Sequence, residues 1–518
     1  MVHASVSALV FFLCAAIEAQ TKNAPPEIDA YYATKTGIIY AISRGNGFLF
    51  SKDNGLSWEK RNTGLPAKVV YPFDDPSIRS LTSLAVDGSS ENRVAVTTAD
   101  GLYVSENSGE TWEAIPVVEP IKPSAYLTAS ALSPVSRDTF LLGTSFSGLF
   151  ETRNRGKTWI DLNDHLKEIY RGAGFYEEIS GVAYSLQNPP GIFMACGFGQ
   201  GLFLLIPGGK KWRRVDFPGD KQEEYIRNLS TKRGNDNSWL LYAETDTYSY
   251  SYNQNTGVWN REPFPFNKEE KLDPAKIARL LKASNKYGIY LAASSAGRGN
   301  LEQHIKFLKN NNFNSVVVDM KDDTGMITYN SGLPIGKEVG SISAKIDIDE
   351  LIQKAHVNGI YVVGRIVVFQ DRVLYTYKDN TYAVWDNKKK EPWGNYFKVE
   401  NGENGKTAYE QREYWVDPYA QFVWEYNIAI ARELQEKGID EIQFDYIRFP
   451  SDGDFTDVCY RYKKDGMTKI DALESFLKMA RENISIPISS DLYGFNSWFR
   501  MGNWIGQSIE IVSFYADA

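Results

Sequence analysis

Along the first half of the chain apolar residues come in short runs broken by polar turns; along the second half the runs lengthen and alternate with amphipathic stretches. GIIYAIS (37–43), GLYVS (101–105), GLFET (148–152), GLFLLI (201–206) and TYSYSY (247–252) read as strands. Polar octets accompany them: 51–58 (SKDNGLSW), 105–112 (SENSGETW) and 152–159 (TRNRGKTW) share S/T-x-D/N-x-G-x-S/T-W. Degenerate copies end at Trp212 and Trp259, so successive tryptophans stand 54, 47, 53 and 47 residues apart. That is the length of a four-stranded propeller blade. Each octet belongs at a hairpin, where Asp or Asn bonds its own backbone and Gly takes a positive φ. The pattern predicts an all-β propeller of about five blades over 27–266.

From Leu272 the period changes. GIYLAAS (288–294), NSVVVDM (314–320), IYVVGRIVVF (360–369), DEIQFDYIRF (440–449) and IPISSDLYGF (486–495) read as buried strands. Helical patterns at 301–311, 348–359, 421–438 and 469–484 alternate with them, and 370–416 is a polar, aromatic insertion. Such alternation means parallel strands joined by right-handed crossovers. Five units in succession favour an α/β (β/α)8 TIM barrel over 272–518 rather than an open sheet. A fifth helix is expected at 505–513, and YADA (515–518) reads as the entry to a sixth strand, so the barrel is expected to be truncated after its fifth βα unit.

In a βα-barrel chemistry gathers at the carboxyl ends of the strands. Strand two delivers Asp319, Lys321, Asp322 and Asp323 there; strand three carries Arg365 and reaches Asp371; strand four ends in Asp445, Tyr446 and Arg448, and strand five in Asp491 and Tyr493. An acid at a strand end is costly to bury unless it is paired or used, so converging carboxylates with Lys321, Arg365 and Arg448 point to a site. Asp445 and Asp491 are the expected catalytic pair. Arg448, three residues beyond Asp445, is expected to keep that carboxylate ionised. Asp319, Lys321, Asp323, Arg365, Asp371, Tyr446, Arg448 and Tyr493 are expected to bind substrate. The structural alternative is that Asp445–Arg448 and Asp319–Lys321 are ion pairs closing the barrel mouth. Trp385, Trp393, Tyr396, Tyr409 and Trp415 of the insertion could form a sugar platform, or simply pin a long loop.

Composition narrows the partners. The 65 Asp and Glu outnumber the 57 Lys and Arg, and no basic block is longer than Lys388-Lys389-Lys390, which argues against nucleic acid. The apolar run at 8–17 is too short to span a bilayer but suits a secretory signal ending near Ala19, so 1–19 is read as a signal peptide. Ordinary cleavage is favoured over a lipid anchor through Cys14, because Phe-Phe-Leu precedes it. A secreted, periplasmic or cell-envelope location follows, with no transmembrane span. Scattered histidines and two cysteines beyond the signal imply no metal site and no cofactor.

The octets resemble the Asp-box, or BNR, repeats of sialidase-like and photosystem-assembly-like propellers, where they act as a folding device. The runs VVVDMKDDTGMITYNS (316–331), GIYVVGRIVVFQD (359–371), WVDPY (415–419) and above all EIQFDYIRFPSDG (441–453) resemble an uncharacterised glycosyl hydrolase TIM-barrel family, distantly related to the α-amylase clan. The resemblance implies a carbohydrate-active barrel with the nucleophile at the end of strand four, where Asp445 stands. It also implies a glutamate acid/base at the end of strand five; here Asp491 stands instead. Carboxyls about 5 to 5.5 Å apart would mean retention of configuration, and about 6.5 to 9.5 Å inversion. The expected function is a secreted glycoside hydrolase acting on a poly- or oligosaccharide, with the propeller docking glycan, a protein partner or the cell envelope. The alternatives are a non-catalytic carbohydrate-binding or envelope scaffold and a protein-interaction module led by the propeller.

Overall fold

The structure, a computed structural model, describes residues 26–73, 77–164, 166, 168–170, 175–197, 201–219, 224–234, 238–266, 273–297, 299–400, 407–497, 501–502 and 504–518. The expected signal peptide and Cys14 lie outside the described residues. Two compact units are present: 1–66 with 77–121 and 127–269, and 67–76 with 122–126 and 270–518.

The first unit contains five four-stranded antiparallel sheets, at 30–60, 81–115, 127–161, 179–215 and 228–263. Neighbouring sheets are tied by side chains: Thr82 Oγ1 donates to Leu127 O at 2.7 Å, Thr128 Oγ1 to Ile179 O at 2.6 Å and Thr231 Oγ1 to Tyr184 O at 2.9 Å. Tyr32 Oη donates to Thr231 O at 3.4 Å and so links the first sheet to the fifth. This is the order of blades in a five-bladed propeller. The octets form the turn between the third and fourth strands of a sheet. In each of the first three sheets the opening Ser or Thr hydroxyl accepts the octet's Gly N–H at 2.9 Å, from Gly55, Gly109 and Gly156. Those glycines have φ of 87°, 83° and 80°, a region costly for residues with a Cβ. The closing tryptophans reach the preceding sheet, with Trp112 Nε1 donating to Arg61 O at 2.9 Å and Trp159 Nε1 to Pro116 O at 3.0 Å.

In the second unit, strands one to five are Gly288–Leu291, Ser315–Lys321, Tyr361–Val367, Glu441–Asp445 and Ile488–Ser490. They pair in parallel and in chain order. Helices Leu301–Asn310, Ile348–Val357, Gln421–Lys437 and Lys469–Asn483 connect them. One sheet face, with Val318, Met320, Ile366, Ile442, Phe444 and Ile488, packs with these helices in one apolar cluster. The ends of the helices follow their caps: Thr468 and Asp471 form a capping box, and Gly438 closes its helix at φ 94°.

Several local expectations are revised. Strand one stops at Leu291 and the chain turns into the short helix Ala293–Ala296. The expected helix at 505–513 is displaced to Ile509–Tyr515, because Gln507–Ser508 pairs with Met501–Gly502 and Ser508 then caps the helix. The insertion after strand three is ordered into the helix Arg372–Asn380 and the hairpin Asn395–Glu400 with Thr407–Glu413. Beyond strand five, Asp517 N donates to Ile488 O at 2.7 Å and Ser490 N to Ala518 O at 3.1 Å, so the last residues run beside it. The described residues form five parallel strands in this unit, not a closed ring of eight.

Candidate active site

The carboxyl ends of strands three to five open onto a cavity of about 320 Å3 lined by Arg365, Asp445, Tyr446, Arg448, Asp491, Leu492, Tyr493 and Gly494. Strand alternation aims these side chains: Arg365 and Asp319 are paired across strands two and three, and Gln443 and Asp445 point to the same face of strand four.

Arg365 holds the site together. Its Nε donates to Asp445 Oδ2 at 2.9 Å and its Nη2 to the same oxygen at 2.6 Å; Nη1 donates to Asp319 Oδ1 at 2.6 Å and Nη2 also to Asp323 Oδ1 at 3.1 Å. Burial opposes its charge, but Asp445, Asp319 and Asp323 outweigh that and hold the guanidinium above its ordinary range. The remaining oxygen of Asp445, Oδ1, accepts the Tyr446 N–H at 2.6 Å. Tyr446 has φ 53°, an uncommon conformation for a residue with a side chain, and it turns the chain sharply just after the carboxylate.

Asp491 is placed by its backbone N–H, which donates to Phe444 O at 2.9 Å, and by Gln443 Nε2, which donates to Asp491 Oδ1 at 2.9 Å. Its carboxyl shares the cavity wall with that of Asp445. Burial first, and the neighbouring Asp445 second, push Asp491 up to about 6. The pair thus joins a carboxyl that keeps its proton into mildly acidic solution to a carboxylate fixed by a guanidinium, the division of labour that acid and anion need.

The pairings differ from both sequence readings. Arg448 makes no ion pair with Asp445, because the turn at Tyr446 carries it away; it lies over Trp415, Tyr493 and Tyr446, with 4.8, 4.9 and 5.3 Å to their ring centres. Lys321 does not meet Asp319. A register shift between Asp319 and Lys321 sets Lys321 opposite the buried Ile366, and its ammonium lies 2.7 Å from Asp371, both side chains being 0% exposed. Lys321 and Asp371 therefore stand outside the cavity lining. Asp371 also caps the helix Arg372–Asn380 by accepting Leu374 N–H at 2.7 Å. Gly325, at φ 90°, passes so close that a Cβ there would stand 2.0 Å from Asp371 Oδ1.

Asp319 and Asp323 reach the site only through Arg365. Asp322 folds its own loop, its Oδ1 accepting Thr324 N–H at 3.0 Å and Met326 N–H at 3.2 Å. Of the aromatic residues in the insertion, Trp393 and Trp415 are buried, whereas Tyr396 and Tyr409 are 49% and 68% exposed on one face of the hairpin. Two residues were missed as site members. Gln443 positions Asp491, and its place two residues before Asp445 was the available signal. Tyr290 of strand one donates to Asp319 Oδ2, and burial followed by that contact raises its hydroxyl to about 12.

Comparison with known proteins places this geometry in context. Residues 288–518 match the family model described as "Putative glycosyl hydrolase domain". An oligoxyloglucan-reducing end-specific xyloglucanase of Neosartorya fischeri is 24% identical over 204 residues, covering 36% of this chain and 24% of its own. A xyloglucanase of Hypocrea jecorina is 24% identical over 273 residues, covering 47% of this chain and 29% of its own. The chain thus spans less than a third of the length of these relatives. Among solved structures, a hypothetical protein from Ruminiclostridium thermocellum is 32% identical, with 39% of this chain and 96% of that one covered at a TM-score of 0.33. The GH74 xyloglucanase from Xanthomonas campestris is 17% identical, with 47% and 39% covered at 0.32.

Proposed function

We propose that this chain, whose residues 288–518 match that glycosyl hydrolase domain model, is a secreted glycoside hydrolase with Asp445 and Asp491 as its catalytic pair. The observation that carries the reading is the pairing, on the wall of one cavity, of a carboxyl raised to about 6 with a carboxylate held by Arg365. Asp491 protonates the glycosidic oxygen while Asp445 faces the anomeric carbon, where positive charge develops, and Arg365 holds the Asp445 carboxyl in place. With Asp445 as the nucleophile, attack on the anomeric carbon and later hydrolysis of the glycosyl-enzyme give net retention.

The strand order, with 517–518 beside strand five, supports a TIM-barrel winding for 272–518. The octet turns support an Asp-box propeller at 27–266 that docks glycan or a partner. Among the described residues no helix is long and apolar enough to cross a membrane. Export rests on the apolar run at 8–17.

The test is release of reducing sugar from a panel of plant and microbial polysaccharides. Asp491→Asn should slow turnover by roughly 10² to 10⁴-fold, the usual worth of a general acid. Asp445→Asn should abolish turnover while glycan binding persists. Proton NMR of the first product should show the anomer of the substrate. Unchanged turnover in Asp445→Asn would end the assignment, and an inverted first product would remove Asp445 as nucleophile.

A further inference from the structure

The cavity holds a second guanidinium in a different situation. Every nitrogen of Arg365 is bonded to a carboxylate. Arg448 Nη1 donates only to neutral groups, Phe449 O at 3.2 Å and Ser451 Oγ at 3.1 Å. Among the described residues, Nε and Nη2 have no hydrogen-bond partner in the protein, and no carboxylate forms an ion pair with Arg448.

The nearby acids are engaged elsewhere. Glu413 acts on Arg448 from a distance while its Oε2 accepts the Trp415 indole N–H at 3.1 Å. Asp452 Oδ2 accepts the Ser451 hydroxyl at 2.6 Å. The three rings of Trp415, Tyr446 and Tyr493 meanwhile fix the position of the guanidinium. A positive charge taken largely out of water without a counter-ion is costly, and binding an anion relieves that cost. The unused Nε–Nη2 edge presents two parallel N–H donors, the fork that matches the two oxygens of a carboxylate.

We propose that Arg448 is a substrate-selecting residue that binds the carboxylate of an acidic sugar, so that the glycan this cavity takes carries a uronic acid beside the bond to be cleaved. The proposal rests on the hydrolase reading and narrows its substrate class. Tyr493, 36% exposed at the cavity, and Tyr446 then serve to aim the guanidinium rather than to stack on the sugar.

The test reads binding, not turnover. The full chain carrying Asp491→Asn is titrated calorimetrically with glucuronate- and galacturonate-containing oligosaccharides, their carboxyl-reduced neutral counterparts, and sulfated neutral oligosaccharides. At least one acidic oligosaccharide should bind ten-fold or more tighter than its reduced form. That preference should fall to within two-fold in Arg448→Gln, and raising NaCl should weaken the acidic ligand alone. Because Arg448→Gln could disturb the ring cluster, the salt dependence in the Arg448 chain stands as an independent reading. If no acidic oligosaccharide outbinds its reduced form, whether or not either binds, the proposal fails. It also fails if the preference survives Arg448→Gln, or if sulfated sugars bind tighter than every uronate. Absence of turnover in the unsubstituted chain would instead overturn the hydrolase reading and leave the binding result standing.

Discussion

Asp491 is placed where a carboxyl is poorly served as an anion, half-enclosed and against another carboxyl, and this has consequences for both rate and stability. With its proton held up to about pH 6, the acid is present below that pH and lost above it. The rate should therefore fall on an alkaline limb centred near pH 6, read from kcat/KM against pH, and a flat profile between pH 5 and about 8 would refute the assignment of Asp491 as acid. The stability effect has a definite sign. A carboxyl shifted from 3.8 in the unfolded chain to about 6 in the folded one binds its proton more tightly when folded, so stability falls as pH rises through that window. Asp491→Asn removes the ionised form and keeps the shape. It should melt higher than the parent at pH 7.5 and at nearly the same temperature at pH 4, while losing activity at both. A melting temperature lowered at pH 7.5 would show that the ionised carboxylate stabilises the fold.

At the scale of elements, the alternation of a strand is a reliable guide until a bulge interrupts it. The period of two correctly brings Arg365, Asp445 and Asp491 around one cavity, because their strands run without interruption to the carboxyl end. The same rule sets Lys321 beside Asp319 and fails, since one extra residue in strand two turns Lys321 into the core. Nothing in VVVDMK marks that bulge; it is stabilised by Asp371, fifty positions further along the sequence, through the Lys321 ion pair. The expected pairing of Arg448 with Asp445 fails for a related reason, the left-handed turn at Tyr446, which no local residue preference announces. The Lys321–Asp371 pair gives a measurable consequence. Asp371→Ala leaves a fully buried ammonium without its anion and uncaps a helix, and should cost about 3 to 5 kcal/mol in urea unfolding. Lys321→Met with Asp371→Asn removes both charges, keeps the cap and should recover most of that loss. If the double variant is as unstable as the single, the ion pair is not what organises the bulge.

At the scale of the whole molecule, the repeat was legible because each sheet closes locally, the octet signalling its own turn and its tryptophan reaching only one sheet back. The membership of 67–76 in the second unit carries no such signal, because its contacts lie about four hundred residues away. There Lys68 Nζ donates to both oxygens of Glu474 at 2.9 and 3.0 Å, Tyr71 N–H donates to Ser475 Oγ at 3.0 Å, and Phe73 lies against Trp424. Val69, Tyr71 and Phe73 pack on the apolar core of the second unit, so this short segment seals part of its surface. The Lys68 and Glu474 side chains are 13% and 8% exposed, which places the pair in the class where losing one partner strands a charge. Tyr515 Oη donates to Glu474 Oε1 at 3.1 Å but supplies no charge to replace the ammonium. Lys68→Ala should therefore lower the stability of the second unit by about 3 kcal/mol. Adding Glu474→Gln should return part of that loss, because the stranded carboxylate is then neutral. The measurement is urea unfolding of the intact chain, following hydrogen exchange in 421–437 and 469–483 so that the transition is assigned to this unit. Unchanged protection there in Lys68→Ala would mean that the apolar contacts of Val69, Tyr71 and Phe73 alone hold the segment.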